Sequence, residues 1–191
     1  AKRGLQLGGE FRYLEPTYQG QLRADALPSD RLRDRTRWSY GLQHSGMVSS
    51  PLGGLGVNLN LQRVSDDNYW RDFARGSQQL AQLAQRLLPG DAQLSWAEGD
   101  MSMRLRTLKW QTLQDVTAPI VPPYDRLPQW QWRYAPTQLG GGFDASVELD
   151  ATRFQADRSR TGQPNAQRSY ALAQISRPFL APQGFITPRV Q

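Results

Sequence analysis

Hydrophobic residues recur at every second position through most of the chain, the period of a β-strand. Leu55-Gly56-Val57-Asn58-Leu59-Asn60-Leu61-Gln62 is the clearest run, aliphatic at each odd position and Gly, Asn or Gln at each even one. Similar alternation covers residues 5–13, 18–26, 37–43, 92–96, 101–106, 130–134 and 143–150. A ninth strand is expected over 168–177, and a tenth from Phe185 to the end at Gln191. Residues 78–88 are rich in Leu, Gln and Ala instead, and predict a loop with local helix.

The links between these runs have their own rhythm. Short ones are expected near 15–17, 98–100, 135–142 and 179–184, with a Gly/Pro-rich one at 45–54. Long polar ones are expected near 28–36, 65–76, 114–128 and 157–167. Alternating short turns and long loops mark an up-and-down barrel of the outer membrane, where the long loops face outward. The runs approach the ~9–11 residues of a tilted membrane strand rather than the ~5–6 of a soluble one. Tyr13, Trp38, Tyr40, Trp110, Trp130, Trp132 and Tyr134 sit near strand ends, as an interfacial girdle requires.

The fold class expected is therefore all-β: an antiparallel up-and-down meander of about ten strands, part of a large outer-membrane barrel. Ten strands with two open edges cannot close a polar-lined barrel, and open edges in lipid leave backbone groups unsatisfied. Residues 1–191 thus read as a partial barrel domain within a longer chain. Its lumen-facing residues are predicted to be Gln19, Gln21, Arg23, Gln43, Asn58, Asn60, Gln62, Arg104, Arg106, Asp144, Glu148 and Asp150.

Composition narrows the chemistry. The 191 residues hold no Cys and one His, which removes disulfides, Cys-based zinc sites, a Cys nucleophile and any two-His mechanism. No apolar run reaches the ~20 residues of a membrane helix. The net charge of +6 is carried almost wholly by Arg, since only Lys2 and Lys109 are lysines. Arg with six Trp suits phosphorylated lipid or nucleic acid, but no RNP-like run points to RNA.

No catalytic constellation, cofactor site or metal site is read. Asp144, Glu148 and Asp150 share one strand face with Ser146, which suits a polar wall better than acid–base chemistry. Asp66-Asp67-Asn68 opens like a calcium loop but lacks the Gly and the terminal Glu, so a loop folded on itself through Asx turns is expected. Gly53-Gly54 and Gly140-Gly141-Gly142 lie in turns, where they permit positive φ, and not between strand and helix as in a phosphate loop. His44 reads as a polar strand-end residue.

Several stretches, in order, resemble a known family. They are Gly9-Glu10-Phe11-Arg12-Tyr13-Leu14, Ala26-Leu27-Pro28-Ser29-Asp30, and Arg37-Trp38-Ser39-Tyr40-Gly41-Leu42-Gln43-His44-Ser45-Gly46. Arg63-Val64-Ser65-Asp66-Asp67-Asn68-Tyr69-Trp70-Arg71-Asp72-Phe73 follows, then Trp110-Gln111-Thr112-Leu113-Gln114. Pro123-Tyr124-Asp125-Arg126-Leu127-Pro128-Gln129 and Gly184-Phe185-Ile186-Thr187-Pro188-Arg189 complete the series. Together they resemble the barrel domain of the LptD family, the LPS-assembly or organic solvent tolerance proteins.

The resemblance implies a non-enzymatic part of the lipopolysaccharide translocon in the Gram-negative outer membrane, forming the wall through which lipopolysaccharide reaches the outer leaflet. It implies as partners lipopolysaccharide, the lipid bilayer, an LptE-type plug lipoprotein and periplasmic bridge proteins that meet a jellyroll absent from this segment. It also implies that the closing strands are absent here. Within it, Arg31, Arg33 and Arg35 become candidates for lipopolysaccharide contact from an outer loop, against pairing with the interleaved Asp30 and Asp34. Patterning without the motifs fits a general porin or another outer-membrane transporter equally, and leaves open a soluble β-rich binding protein.

Overall fold

A computed structural model describes residues 3–51, 53–73, 85–137 and 139–191. Ten strands form one antiparallel sheet: β1 (Leu7–Leu14), β2 (Tyr18–Asp30), β3 (Arg35–Ser50), β4 (Gly53–Val64), β5 (Leu87–Glu98), β6 (Met101–Thr112), β7 (Asp125–Tyr134), β8 (Asp144–Gln155), β9 (Ala166–Ser176) and β12 (Arg189–Val190). The order in the sheet is the order in the chain, and the sheet is open, with β1 and β12 at its edges. A separate two-stranded hairpin, β10 (Phe179–Ala181) and β11 (Gly184–Ile186), stands between β9 and β12. Among the described residues, two short helices, α1 (Tyr69–Phe73) and α2 (Arg158–Thr161), sit in connections. No helix among the described residues is long and apolar enough to cross a membrane.

The expected meander is present, with corrected boundaries. The 45–54 link is mostly strand: β3 continues to Ser50 and β4 starts at Gly53, so His44 lies within β3 rather than at its end. The expected long loop at 28–36 shrinks to four residues, because the sheet reaches Asp30 on one side and resumes at Arg35 on the other. There Asp34 takes φ 49°, and the Arg33 and Asp34 N–H groups donate to the Asp30 carbonyl. Of the helical segment expected at 78–88, Leu87 and Leu88 belong to β5, and residues 78–84 lie outside the described residues. The tenth sheet strand begins at Arg189. Phe185 sits in the small hairpin, flanked by Pro178 and Pro188, which lack the ladder donor. Gly53, Gly141 and Gly142 do take positive φ in their turns.

The links thus divide between a turn end (15–17, 51–52, 99–100, 135–143 and 177–188) and a loop end (31–34, 65–86, 113–124 and 156–165). Most strands run 10 to 16 residues, well beyond the ordinary ~5–6. Packing is concentrated at the loop end, where Leu27, Val64, Tyr69, Phe73, Leu88 and Leu113 form a buried cluster with Trp70 against it. Elsewhere large apolar side chains stay exposed, among them Phe11, Leu22, Trp38, Tyr40, Leu94, Met103 and Leu105. A continuous uncovered apolar face of this kind marks a surface that meets a protein partner or a membrane.

Candidate functional site

Register sorts polar residues in the middle of the sheet to one face and mostly apolar ones to the other. Gln19, Ser45, Asn58, Gln93, Arg106, Gln129, Thr152 and Arg168 form one row of directly paired residues from β2 to β9, every one polar. One residue along each strand, Tyr18, Gly46, Val57, Leu94, Leu105, Trp130 and Ala151 form the adjacent row on the opposite face. A slip of one residue would exchange the two faces, so this alternation fixes the register.

All twelve residues expected on the polar side fall on that one face. Gln21, Gln43 and Asn60 are paired in sequence, as are Arg23, Gly41 and Gln62. Arg104, Gln131 and Asp150 follow the same pairing, and Glu148 pairs with Arg133. Asp144, four residues before Glu148 on β8, shares its side. Of the expected girdle aromatics, Trp38 stacks on Tyr40 and Trp132 on Tyr134 across the apolar face. Trp110 departs from the expectation. It pairs with Pro89 on the polar side, and its backbone N–H donates to the Asp125 carboxylate at 2.7 Å.

Within the polar face, several charges neutralise one another locally. Asp91 holds Arg106 at 2.6 and 2.8 Å, and Glu10 holds both Arg12 and Arg23. Asp150 is buried and accepts from Gln129, Gln131, Thr152 and Arg168. Gln129, the last residue of the Pro-Tyr-x-Arg-Leu-Pro-Gln stretch, thus joins that buried network, while Tyr124 donates its hydroxyl to the Pro164 carbonyl. A cavity of about 470 Å³ opens near the loop end, lined by Gln21, Arg23, Gln43, Gln62, Trp70 and Gln85 among others. The indole N–H of Trp70 is buried without a protein partner there.

At the loop end lies the densest charge cluster, centred on a residue the sequence reading did not single out. Arg37 is fully buried on β3. Its guanidinium forks onto Asp66 at 2.8 and 2.9 Å, reaches Asp30 at 3.1 Å and also meets Asp72. Its flat side rests on Phe73, 4.7 Å from the ring centre, and on Tyr69. Arg3 pairs with Asp30 and Asp72 from β1's side. Burial pushes the Asp66 carboxyl up, but hydrogen bonds from Arg37 and Ser65, with the charges of Arg37 and Arg35, hold it below the usual aspartate range. Burial raises the Tyr69 phenol despite its bond with Ser39.

Arg31, Arg33 and Arg35 divide over this cluster. Arg35 pairs with Asp66 at 3.0 Å and Arg33 approaches Asp72 at 3.8 Å, whereas Arg31 is held through its backbone N–H to the Arg3 carbonyl. Pairing does occur, but with carboxylates after β4 rather than with Asp34. Asp66 forms the expected Asx turn, accepting from the Asn68 N–H at 3.1 Å, and carries the Arg37 pair besides. His44 stands on the apolar face with its Nδ1 2.7 Å from the Tyr13 hydroxyl. Among the described residues no group of His, Cys, Asp and Glu is arranged to hold a metal.

These features define the class: an open up-and-down antiparallel sheet of long strands, one face polar and one apolar. The profile of the family LptD, LPS transport system D, matches residues 35–191, and the chain belongs to that family. It is 64% identical over its whole length to the LPS-assembly protein LptD of Acidovorax sp. strain JS42, covering 24% of that protein. It is 65% identical to the corresponding protein of Paracidovorax citrulli, covering 23%, and 36% identical to that of Ralstonia nicotianae, covering 22%. The chain therefore spans about a quarter of the length of the curated relatives it matches.

Proposed function

We propose that the chain is a wall segment of a larger transmembrane barrel in the Gram-negative outer membrane, through which lipopolysaccharide passes to the outer leaflet. The observation that carries this reading is the pair of adjacent rows, one wholly polar and one apolar, running unbroken across seven strands or more. Lipid solvates the apolar row at no cost, whereas water would charge about 25 cal/mol for each Å² of it. The polar row then lines the lumen, offering carboxamides and paired charges to a hydrated passage or to a plug lipoprotein of the LptE type. Strands that cross the bilayer satisfy every backbone group only if the sheet closes, so β1 and β12 pair with further strands of the full-length protein. Periplasmic bridge proteins meet a jellyroll outside residues 1–191. The names of the relatives support lipopolysaccharide as the cargo.

Photocrosslinkers at Asn58 and Leu59 of the full-length protein test this. They are neighbours on β4 and point to opposite faces. Lipopolysaccharide or plug adducts are expected at Asn58, and membrane-lipid adducts at Leu59. Membrane-lipid adducts at Asn58 and protein adducts at Leu59 would mean the sheet faces the other way. No lipid adduct at either position would remove the membrane reading altogether.

A further inference from the structure

Several charged side chains in the middle of the sheet stand on the polar face and pair there: Arg23 with Glu10, Arg106 with Asp91, Arg168 with Asp150. Three cations break the pattern. Arg63, Lys109 and Arg153 fall on the apolar face by register, opposite Tyr40, Gly90 and Gln167 respectively. Each is on a strand running toward the loop end, and each lies within three residues of that strand's last position. None of them makes an ion pair among the described residues.

Two of the three converge. Gly90 separates Arg63 from Lys109, and a Cβ there would sit 3.3 Å from Arg63 Nη2. The missing side chain lets the guanidinium lie across β5 toward the strand that carries Lys109. Both then line one open basin of about 440 Å³, walled by Gln111, Pro122, Pro123 and Gln155. Of the carboxylates in that lining, Asp125 accepts the Trp110 N–H and Asp157 caps α2 and faces Arg160. Asp67, the third, lines the basin and makes no ion pair among the described residues. Along the same face, toward the turn end, come Leu61, Leu59 and Val57 on β4 and, beyond Thr107, Leu105 and Met103 on β6.

We propose that Arg63 and Lys109 bind the phosphate group of a membrane lipid whose acyl chains lie on the apolar rows below the basin. The proposal rests on the reading that this face meets the bilayer. A guanidinium offers a phosphate two parallel N–H donors, and an ammonium adds a point charge beside it. A free phosphate would have no use for the apolar strip that continues from the basin, whereas a lipid uses both. Long basic side chains whose stems lie on apolar surface and whose heads reach the interface are suited to that position.

The test uses the full-length protein in phosphatidylcholine nanodiscs doped with either lipopolysaccharide or phosphatidylglycerol. A photocrosslinker at Gln155 reports the basin, and one at Leu149 reports the apolar band of the same face. The doped lipid is expected to crosslink at Gln155, with adducts falling about tenfold or more in the double variant R63Q/K109Q, as loss of two cations from an anionic-lipid site implies. Leu149 adducts should be unchanged, and which doped lipid responds identifies the phosphate's carrier. Equal Gln155 adducts in the two proteins, or none at Gln155 while Leu149 reacts, would overturn the proposal alone. No lipid adduct at Leu149 in folded protein would overturn the membrane-facing reading and the proposal with it.

Discussion

Arg37 and Asp66 face each other fork to fork, with Nε and Nη2 of the guanidinium 2.8 and 2.9 Å from the two carboxylate oxygens. The pair ties β3 to the connection after β4 and so holds α1, with Tyr69 and Phe73, down on the buried cluster at the loop end. Removing one member of a buried pair leaves the other charged and unpaired, at a cost of about 3–5 kcal/mol. In Arg37→Met, Asp66 keeps the more exposed Arg35 and Asp30 and Asp72 keep Arg3, so the loss is expected at or below the low end of that range, and Arg37→Lys is expected to lose less. Denaturant midpoints of the full-length protein, with protease cleavage after Arg71 as the local readout, measure this. Unchanged cleavage in Arg37→Met would show that α1 is held without the Arg37 pairs.

The same pair sets a pH dependence. The Asp66 carboxyl is held below its usual range in the folded protein, because hydrogen bonds from Arg37 and Ser65 outweigh the effect of burial. A depressed folded value stabilises above the unfolded one, about 3.9, and that stabilisation is lost as pH falls through the folded value. A spin label at Asn68 is therefore expected to be equally immobile at pH 7 and pH 5, and to gain mobility only below about pH 4. Mobilisation already at pH 6 would assign the docking to another group.

Much of the sheet was legible because a two-faced strand writes its period directly into the sequence. Asn58 and Leu59 declare their faces without any knowledge of partners. The ends were less legible, since hydrogen-bond ladders continue past the last clear alternation. Residues 45–50 read as a link because Gly and Ser carry no facial signal, yet they pair with residues 53–58 to the end of the hairpin. Phe185 alternates with its neighbours as a strand should, but Pro188 interrupts the run before it can join the sheet. Arg37 was missed for a different reason. Its alternation with Trp38 put it on the polar face, but its three carboxylates lie 7, 29 and 35 residues away. Only tertiary structure brings those together. Of the candidate loop arginines, the sequence offered Asp30 and Asp34 as neighbours in the chain, and space supplied Asp66 and Asp72 instead.

On the apolar face, Gly20 makes room for Tyr13. A Cβ at residue 20 would run into the phenol ring, whose hydroxyl lies 2.7 Å from His44 Nδ1. Gly20→Val is expected to push the ring away, break the His44 contact and cost about 1–3 kcal/mol through overpacking. Combining it with Tyr13→Ala should cost less than the sum of the two single changes, because the clash disappears with the ring. Additive losses in the unfolding midpoints would show that the ring does not occupy that space.

Asp150 offers a measure of how wet the polar face is. Its carboxylate accepts from Gln129 at 2.9 Å, Gln131 at 3.0 Å, Thr152 at 2.9 Å and Arg168 at 3.2 Å, binding β7, β8 and β9 together. It is buried to 5% exposure. Asp150→Leu removes the common acceptor and leaves the buried donors of Gln129 and Thr152 without a partner, each at about 1–3 kcal/mol if water cannot reach them. The total expected is thus at least about 2 kcal/mol, with Asp150→Asn falling between the two, since one carbonyl acceptor survives while the new amide opposes the donors. Urea unfolding of the full-length protein measures both variants. A loss under about 1 kcal/mol for Asp150→Leu would mean that water replaces the carboxylate at this depth, and that the network orders the wall without stabilising it.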